Sequence, residues 1–376
     1  MTMCLTRLGS FLLGALLAAS PQLAAQETVR RGASNELLID DNLRNAAARG
    51  LEWLAQHQHQ DGYWAEFVGY KLNNDYERTD DRPLPHVGVT ALALMSFLAG
   101  GHLPDRGKYG DTLKRGIGFV LSCSQDDGQI AANGTRMYSH AFATLFLAEV
   151  YGMVELPEVK RVLQRSVDLI VDSQNAEGGW RYRPFARESD MSITVCQVLA
   201  LRSARNVGIH VPISTIRNAQ NYVYRSAVRS NDRPYRMRNG YGDDGGSFQY
   251  QNREHTRATF PLTAAGVTTL YAAGEYDSPI IRDALDYLDR RGEAFSLSYR
   301  GHYFFYYGHY YAVQAYYITG DPKWTQYFRM IKRILLEEQR GDGRWECHTG
   351  PGDAFGTAVA TLILQIPLQY LPIFQR

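Results

Sequence analysis

Two kinds of helical pattern alternate along this chain. The first is one-sided: in LPEVKRVLQRSVDLIVDSQ, residues 156–174, the apolar Val159, Val162, Leu163, Val167, Ile170 and Val171 recur at three- and four-residue spacing with charges between them, the mark of an amphipathic helix. The second carries few charges and is apolar nearly all round, as in VGVTALALMSFLAGG from 87, YSHAFATLFLAEVYGM from 138 and SDMSITVCQVLALRSA from 189. TFPLTAAGVTTLYAAG from 259, GHYFFYYGHYYAVQAYY from 301 and GDAFGTAVATLILQIP from 352 follow the same pattern. Helices of this composition are buried on every side.

Polar, glycine-containing turns that close on a large apolar residue separate the two kinds: QDGYW at 60–64, QDDGQI at 125–130, QNAEGGW at 174–180, DDGGSF at 243–248 and QRGDGRW at 339–345. A recurrence of roughly fifty residues is the signature of a repeat architecture. Six pairs, each with a half-exposed outer helix and a buried inner one, predict an all-α, closed (α/α)6 toroid. An open solenoid would need polar capping repeats, whereas the last inner segment runs into IPLQYLPIFQR, which reads as a strap closing against the first repeat. The fifth pair lacks the Gly-Trp turn, and 226–258 reads as one long loop rich in Arg and Tyr.

Composition narrows the function without choosing it. With 45% hydrophobic and 21% charged residues the chain is globular, and 40 Lys and Arg against 39 Asp and Glu leave no field to attract nucleic acid or an anionic membrane surface. The opening residues, with Arg7, an apolar run from Leu8 to Ala19 and small residues Ala24 and Ala25, read as a secretory signal peptide over 1–25. The expectation is an exported protein, periplasmic or extracellular, with a single toroid domain over 26–376 and no transmembrane segment. Cys123, Cys196 and Cys347 remain after the leader; an odd count without a CxxC argues against a disulfide framework or a thiolate metal site.

At LIVDSQNAEGGWRY and RILLEEQRGDGRWE the chain resembles the Gln-Trp repeats of squalene-hopene cyclases and other terpenoid cyclases, and more loosely the β subunits of protein prenyltransferases. The resemblance covers the chain after about residue 35 and implies an α/α toroid, with the Gln, Gly and Trp tying outer helix to turn. It also implies where an acid and a metal would sit. The cyclase proton donor lies in D-x-D-D-T-A. The comparable DMSIT at 190–194 keeps Asp190 and Thr194 but has Ser192 and Ile193 in the other two places, and a serine cannot protonate an alkene. Asp190 has two readings, a helix cap or a catalytic carboxyl. The prenyltransferase zinc ligands would fall at Arg300, His302 and Gly356, of which only His302 can ligate, so no metal and no cofactor is expected. EHTRATF at 254–260 resembles the prenyltransferase segment whose His contacts a diphosphate, which would make His255, beside Arg253 and Arg257, an anion contact or part of a solvated loop.

Histidines favour the starts of inner helices, His86, His140, His302, His309 and His348 among them. His302 and His309 stand seven apart and share a helix face. The candidates for catalysis are therefore Asp190, His302 and His309, and those for ligand contact are Tyr306, Tyr310, His255, His140 and Thr194. Three function classes fit: an isoprenoid-processing or isoprenoid-binding toroid with an apolar small-molecule ligand, a non-catalytic protein-interaction toroid, and a glycan-active α/α enzyme using a pair such as Asp61 with Glu66 or Asp243 with Asp244. A sealed aromatic tunnel favours the first; carboxylates across an open cleft favour the last. The oligomeric state is not legible.

Overall fold

The structure, a computed structural model, describes residues 35–36, 38–72, 74–229, 245–253 and 256–374; the leader expected over 1–25 lies outside them, as does His255. The outer helices are α1 (Asp41–Gln56), α3 (Gly110–Ser122), α5 (Pro157–Asp172), α7 (Ile213–Ser226), α9 (Pro279–Ser298) and α11 (Lys323–Glu338). Alternating with them are the inner helices α2 (Val87–Ala99), α4 (Met137–Val150), α6 (Met191–Asn206), α8 (Phe260–Ala272), α10 (Tyr303–Thr319) and α12 (Asp353–Gln365). On α5 the buried positions include Val159, Val162, Leu163, Val167 and Ile170, five of the six in the stripe read from the sequence, with Val171 half-buried. Every residue of α2 is buried.

Each inner helix packs on the next in chain order, and α12 packs on α2, so the inner ring closes as an (α/α)6 toroid. The repeated turn explains how. Gly62, Gly128, Gly178, Gly246 and Gly343 all have φ between 89° and 103°, a region open to glycine. A Cβ at each would strike a backbone carbonyl of the following outer helix, that of Arg115, Arg165, Asn218 and Asp283 in turn. For Gly343 the carbonyl belongs to Arg49, on the first outer helix. The turn glutamines repeat the lesson: Gln58 donates to Gly62 O and Thr112 O, Gln174 to Gly178 O and Thr215 O, and Gln339 to Gly343 O and Ala46 O, all at 2.9 Å. The sixth turn thus treats the first outer helix as its successor.

The strap takes a different course from the one read in the sequence. Tyr370 lies against Gly101 at the end of the first pair, but the short 3-10 turn Pro372–Phe374 then packs on α6 and α10, and Ile373 N–H donates to Glu149 Oε2 at 3.5 Å. It floors the barrel at the C-terminal ends of the inner helices. The other end is covered by a small β element between α1 and α2 that the sequence reading did not anticipate. β1 (Ala65–Glu66) pairs with β4 (Leu84–Pro85), and β2 (Gly69–Leu72) with β3 (Asp75–Arg78), both antiparallel.

Candidate ligand-binding cavity

Between hairpin and floor lies a cavity of about 240 Å³. Among the described residues nine tyrosines and four phenylalanines line it, and no Asp or Glu does. Tyr138 and Phe142 come from α4, Ser192 from α6, Leu262 from α8, Tyr303, Tyr307 and Tyr310 from α10, and Tyr70, Lys71 and Tyr76 from the hairpin. Phenol rings suit such a wall because each offers a large apolar face and one polar handle. Most handles are spent: Tyr182 OH meets Tyr250 OH at 2.6 Å, Tyr250 OH donates to Asp190 Oδ2 at 3.3 Å, and Tyr307 OH donates to Ser192 O at 3.3 Å.

Tyr310, proposed from the sequence as a ligand contact, is a wall residue near the floor, with its ring 6.4 Å from that of Phe374. Its side chain is buried and its hydroxyl has no hydrogen-bond partner among the described residues. A buried donor left unpaired costs about 1–3 kcal/mol, so Tyr310→Phe should stabilise the ligand-free protein by about 1 kcal/mol. Chemical denaturation reads this, and a destabilisation would mean that the hydroxyl is partnered.

The other candidates sit in or behind the wall. His309 turns outward, away from the cavity, where its ring nitrogens meet Ser296 Oγ at 2.9 Å and Tyr327 OH at 2.7 Å. Tyr306 OH donates to Glu346 O at 2.6 Å, at the head of α12. His302 caps α10 through Nδ1, which accepts Phe304 N–H at 3.0 Å, and its Nε2 donates to Asn74 O at the hairpin tip at 2.6 Å. It is a latch between ring and hairpin. Among the described residues no group of three His, Cys, Asp or Glu side chains is placed to hold a metal ion, and Arg300 pairs with Glu338 at 2.8 Å.

Thr194 and His140 belong to one repeated device. The N–H of the large residue closing each turn is received by a side chain one turn into the following inner helix. Trp64 donates to Thr90, Ile130 to His140 Nδ1, Trp180 to Thr194, Phe248 to Thr263 and Trp345 to Thr357, at 3.0–3.3 Å. His140 takes the place of a threonine and reaches Ser166 O with its other nitrogen at 3.2 Å.

Asp190 caps α6, its Oδ1 accepting Ile193 N–H at 2.9 Å and Ser192 Oγ–H at 2.6 Å. It is fully buried and separated from the cavity by Ser192 and Tyr250, which are wall residues. Burial pushes its carboxyl up to about 6 against those hydrogen bonds. Two further groups, named in the sequence reading but not among its candidate site residues, belong here. His86 lines the mouth and accepts Val89 N–H on Nδ1 at 3.2 Å, which leaves the ring proton on Nε2. Glu66, read as one of a carboxylate pair, is buried behind the wall and accepts Ala354 N–H at 2.5 Å, capping α12; Asp61 is exposed in its turn.

Six of the buried groups set the pH dependence of stability. Burial lowers His86 and His140 to about 4 and His309 to about 3; the unfolded chain takes up protons there below about 6.5, so stability drains as pH falls through that range. Burial raises Glu66 to about 8, Glu149 to about 7 and Asp190 to about 6; the fold keeps protons that the unfolded chain has released, a stabilisation complete in acid and lost as pH rises through those values. The two trends balance at about pH 6, where urea denaturation should find maximal stability. A stability still climbing at pH 8 would contradict this assignment.

The sequence matches no protein-family model and no curated protein. Solved structures are similar in fold. The type II terpene cyclase MstE from Scytonema, in a variant bound to its substrate geranylgeranyl dihydroxybenzoate, superposes with a TM-score of 0.57 at 12% identity, covering 88% of this chain and 98% of the cyclase. The GH76A alpha-1,6-mannanase from Salegentibacter sp. HEL1_6 gives 0.59 at 10% identity, over 87% and 99%. A protein from Actinoplanes gives 0.52 at 15%, over 87% and 99%. The likeness is one of fold, the α/α toroid.

Proposed function

We propose that this is an exported protein that binds an elongated apolar ligand of the isoprenoid kind inside the toroid. The observation that carries the reading is the wall itself, aromatic on most sides and, among the described residues, without a carboxylate. Such a wall buries a long apolar chain at about 25 cal/mol per Å², and the substrate-bound terpene cyclase supports a toroid of this shape as a holder of isoprenoid chains.

Binding is favoured over acid-triggered cyclisation. Alkene protonation needs a carboxylic acid against the substrate, whereas Asp190 reaches the cavity through Tyr250 and Tyr182, phenols whose acidity burial lowers further. The glycan-active reading has a mannanase fold beside it, but glycoside cleavage takes two carboxyls facing one cleft. Asp61 and Glu66 do not provide that, one exposed and the other buried as a helix cap; Asp243 and Asp244 lie outside the described residues.

The test is native mass spectrometry of protein from an exporting host, with lipid extraction and thermal denaturation in the presence of candidate ligands. A copurified apolar compound, or a melting temperature raised by polyprenols or squalene, is expected. An empty protein whose melting is unmoved by squalene, polyprenols and farnesyl diphosphate would remove the proposal and leave a protein-interaction toroid.

A further inference from the structure

We propose that the ligand carries an anionic head group, held at the cavity mouth by Lys71, Arg136 and Arg257; this rests on the cavity being a ligand site. The three cations come from separate parts of the fold, Lys71 from hairpin strand β2, Arg136 from the residue before α4, and Arg257 from the segment leading into α8. All three line the cavity.

Each lies over an aromatic ring of the same wall. Lys71 Nζ is 4.9 Å from the centroid of Phe304 and 5.3 Å from that of Tyr250, Arg257 is 5.7 Å from Phe304, and Arg136 is 5.3 Å from Tyr70. Cation–π contact holds a charge in place without neutralising it. Lys71 and Arg257 share the Phe304 ring, beside an apolar cavity where the effective dielectric is low.

Lys71 and Arg136 lack the pairing found beside them. Arg181, whose guanidinium lies over the neighbouring Tyr182 and Tyr250 rings, is paired with Glu188 at 3.4 Å, while Lys71 and Arg136 have no acidic partner among the described residues. Among the described residues no carboxylate lines the wall to compensate them. A neutral hydrocarbon filling the cavity would bring Lys71 and Arg136 no counter-charge. An amphiphile places its tail toward Tyr310 and its anion among the three cations, where charge-assisted hydrogen bonds are stronger than neutral ones. A carboxylate and a phosphate monoester share that chemistry.

The hairpin gives the arrangement a further consequence. Because Lys71 sits on the element that covers the mouth and His302 latches its tip through Asn74 O, a bound anion bridges cover and ring.

The experiment compares two matched pairs by titration calorimetry on the purified chain: palmitate against hexadecanol, and farnesyl monophosphate against farnesol. The anionic member of at least one pair should bind about tenfold tighter than its alcohol, and which pair shows it identifies the head as carboxylate or phosphate. In the double variant Lys71→Met, Arg136→Met, with folding checked by circular dichroism, the acid-to-alcohol ratio should fall toward one. Equal binding of acid and alcohol by the native protein overturns the head-group proposal and leaves the apolar cavity standing. A preference that survives in the double variant overturns the assignment to these residues. No binding of any of the four removes both readings together.

Discussion

Replacing Trp345 with alanine should destabilise the protein by about 3–5 kcal/mol, the usual cost of removing a buried tryptophan. The residue is fully buried, and its position makes the loss more than local. Its Nε1 donates to Leu335 O of α11 at 2.8 Å, its backbone N–H to Thr357 Oγ1 of α12 at 3.0 Å, and its ring lies against Gly50 of α1. One side chain therefore ties the last pair to the first, where no peptide bond does. Trp180 makes the same bonds within the middle of the chain, to Ile170 O and Thr194 Oγ1, and serves as the comparison. Trp345→Ala should speed amide exchange in α1 and α12 while α6 stays protected; Trp180→Ala should disturb α5 and α6 instead. Urea denaturation gives the magnitude and hydrogen exchange the location. A loss below about 1 kcal/mol for Trp345→Ala, or exchange spread evenly round the ring, would mean that the ring is not held at this seam.

The seam and the toroid were legible because they rest on contrasts that survive in one dimension: one-sided against all-round apolar helices, and a glycine turn that no other residue fits. The rotational phase of α10 was not. The sequence reading set His302 and His309 on one face as catalytic candidates, with Tyr306 and Tyr310 as ligand contacts. In the fold Gly308 abuts Phe295 and Pro261, Tyr303, Tyr307 and Tyr310 face the cavity, and His309 points between outer helices toward Ser296 and Tyr327. An amphipathic helix announces its phase by its polar side; α10 has aromatic residues on every side, so spacing groups its residues but does not say which group faces inward.

His140 and Thr194 were hidden for a related reason. A histidine one turn into a buried helix looks like a site residue until the five equivalent positions are set side by side and four prove to be threonine. The hairpin had a signal that was passed over, since GYKL and DYER flank Asn73 and Asn74, residues that favour tight turns. Its role in closing the mouth depends on long-range contacts, with Asn74 O meeting His302 and Tyr76 lying 5.8 Å from Tyr303, which no local pattern encodes.

Filling the cavity should separate binding from folding. Leu92 is buried on α2 and faces the cavity beside Val89, so Leu92→Trp would direct the indole into empty space. Overpacking a filled core costs about 1–3 kcal/mol, but here the added volume has somewhere to go, and stability should hold or rise. A ligand would lose the room of roughly six atoms, the excess of tryptophan over leucine, worth about 0.3 kcal/mol each. The loss is about 2 kcal/mol, or roughly thirtyfold in affinity. Val359→Trp, from α12 on the same wall, should act alike, and the pair guards against one indole finding a harmless rotamer. Calorimetric titration with the tightest ligand found, beside thermal denaturation of each variant, reads both quantities. Two folded variants that bind as the native protein does would place the ligand outside this cavity, and with it the head-group contacts of Lys71 and Arg136.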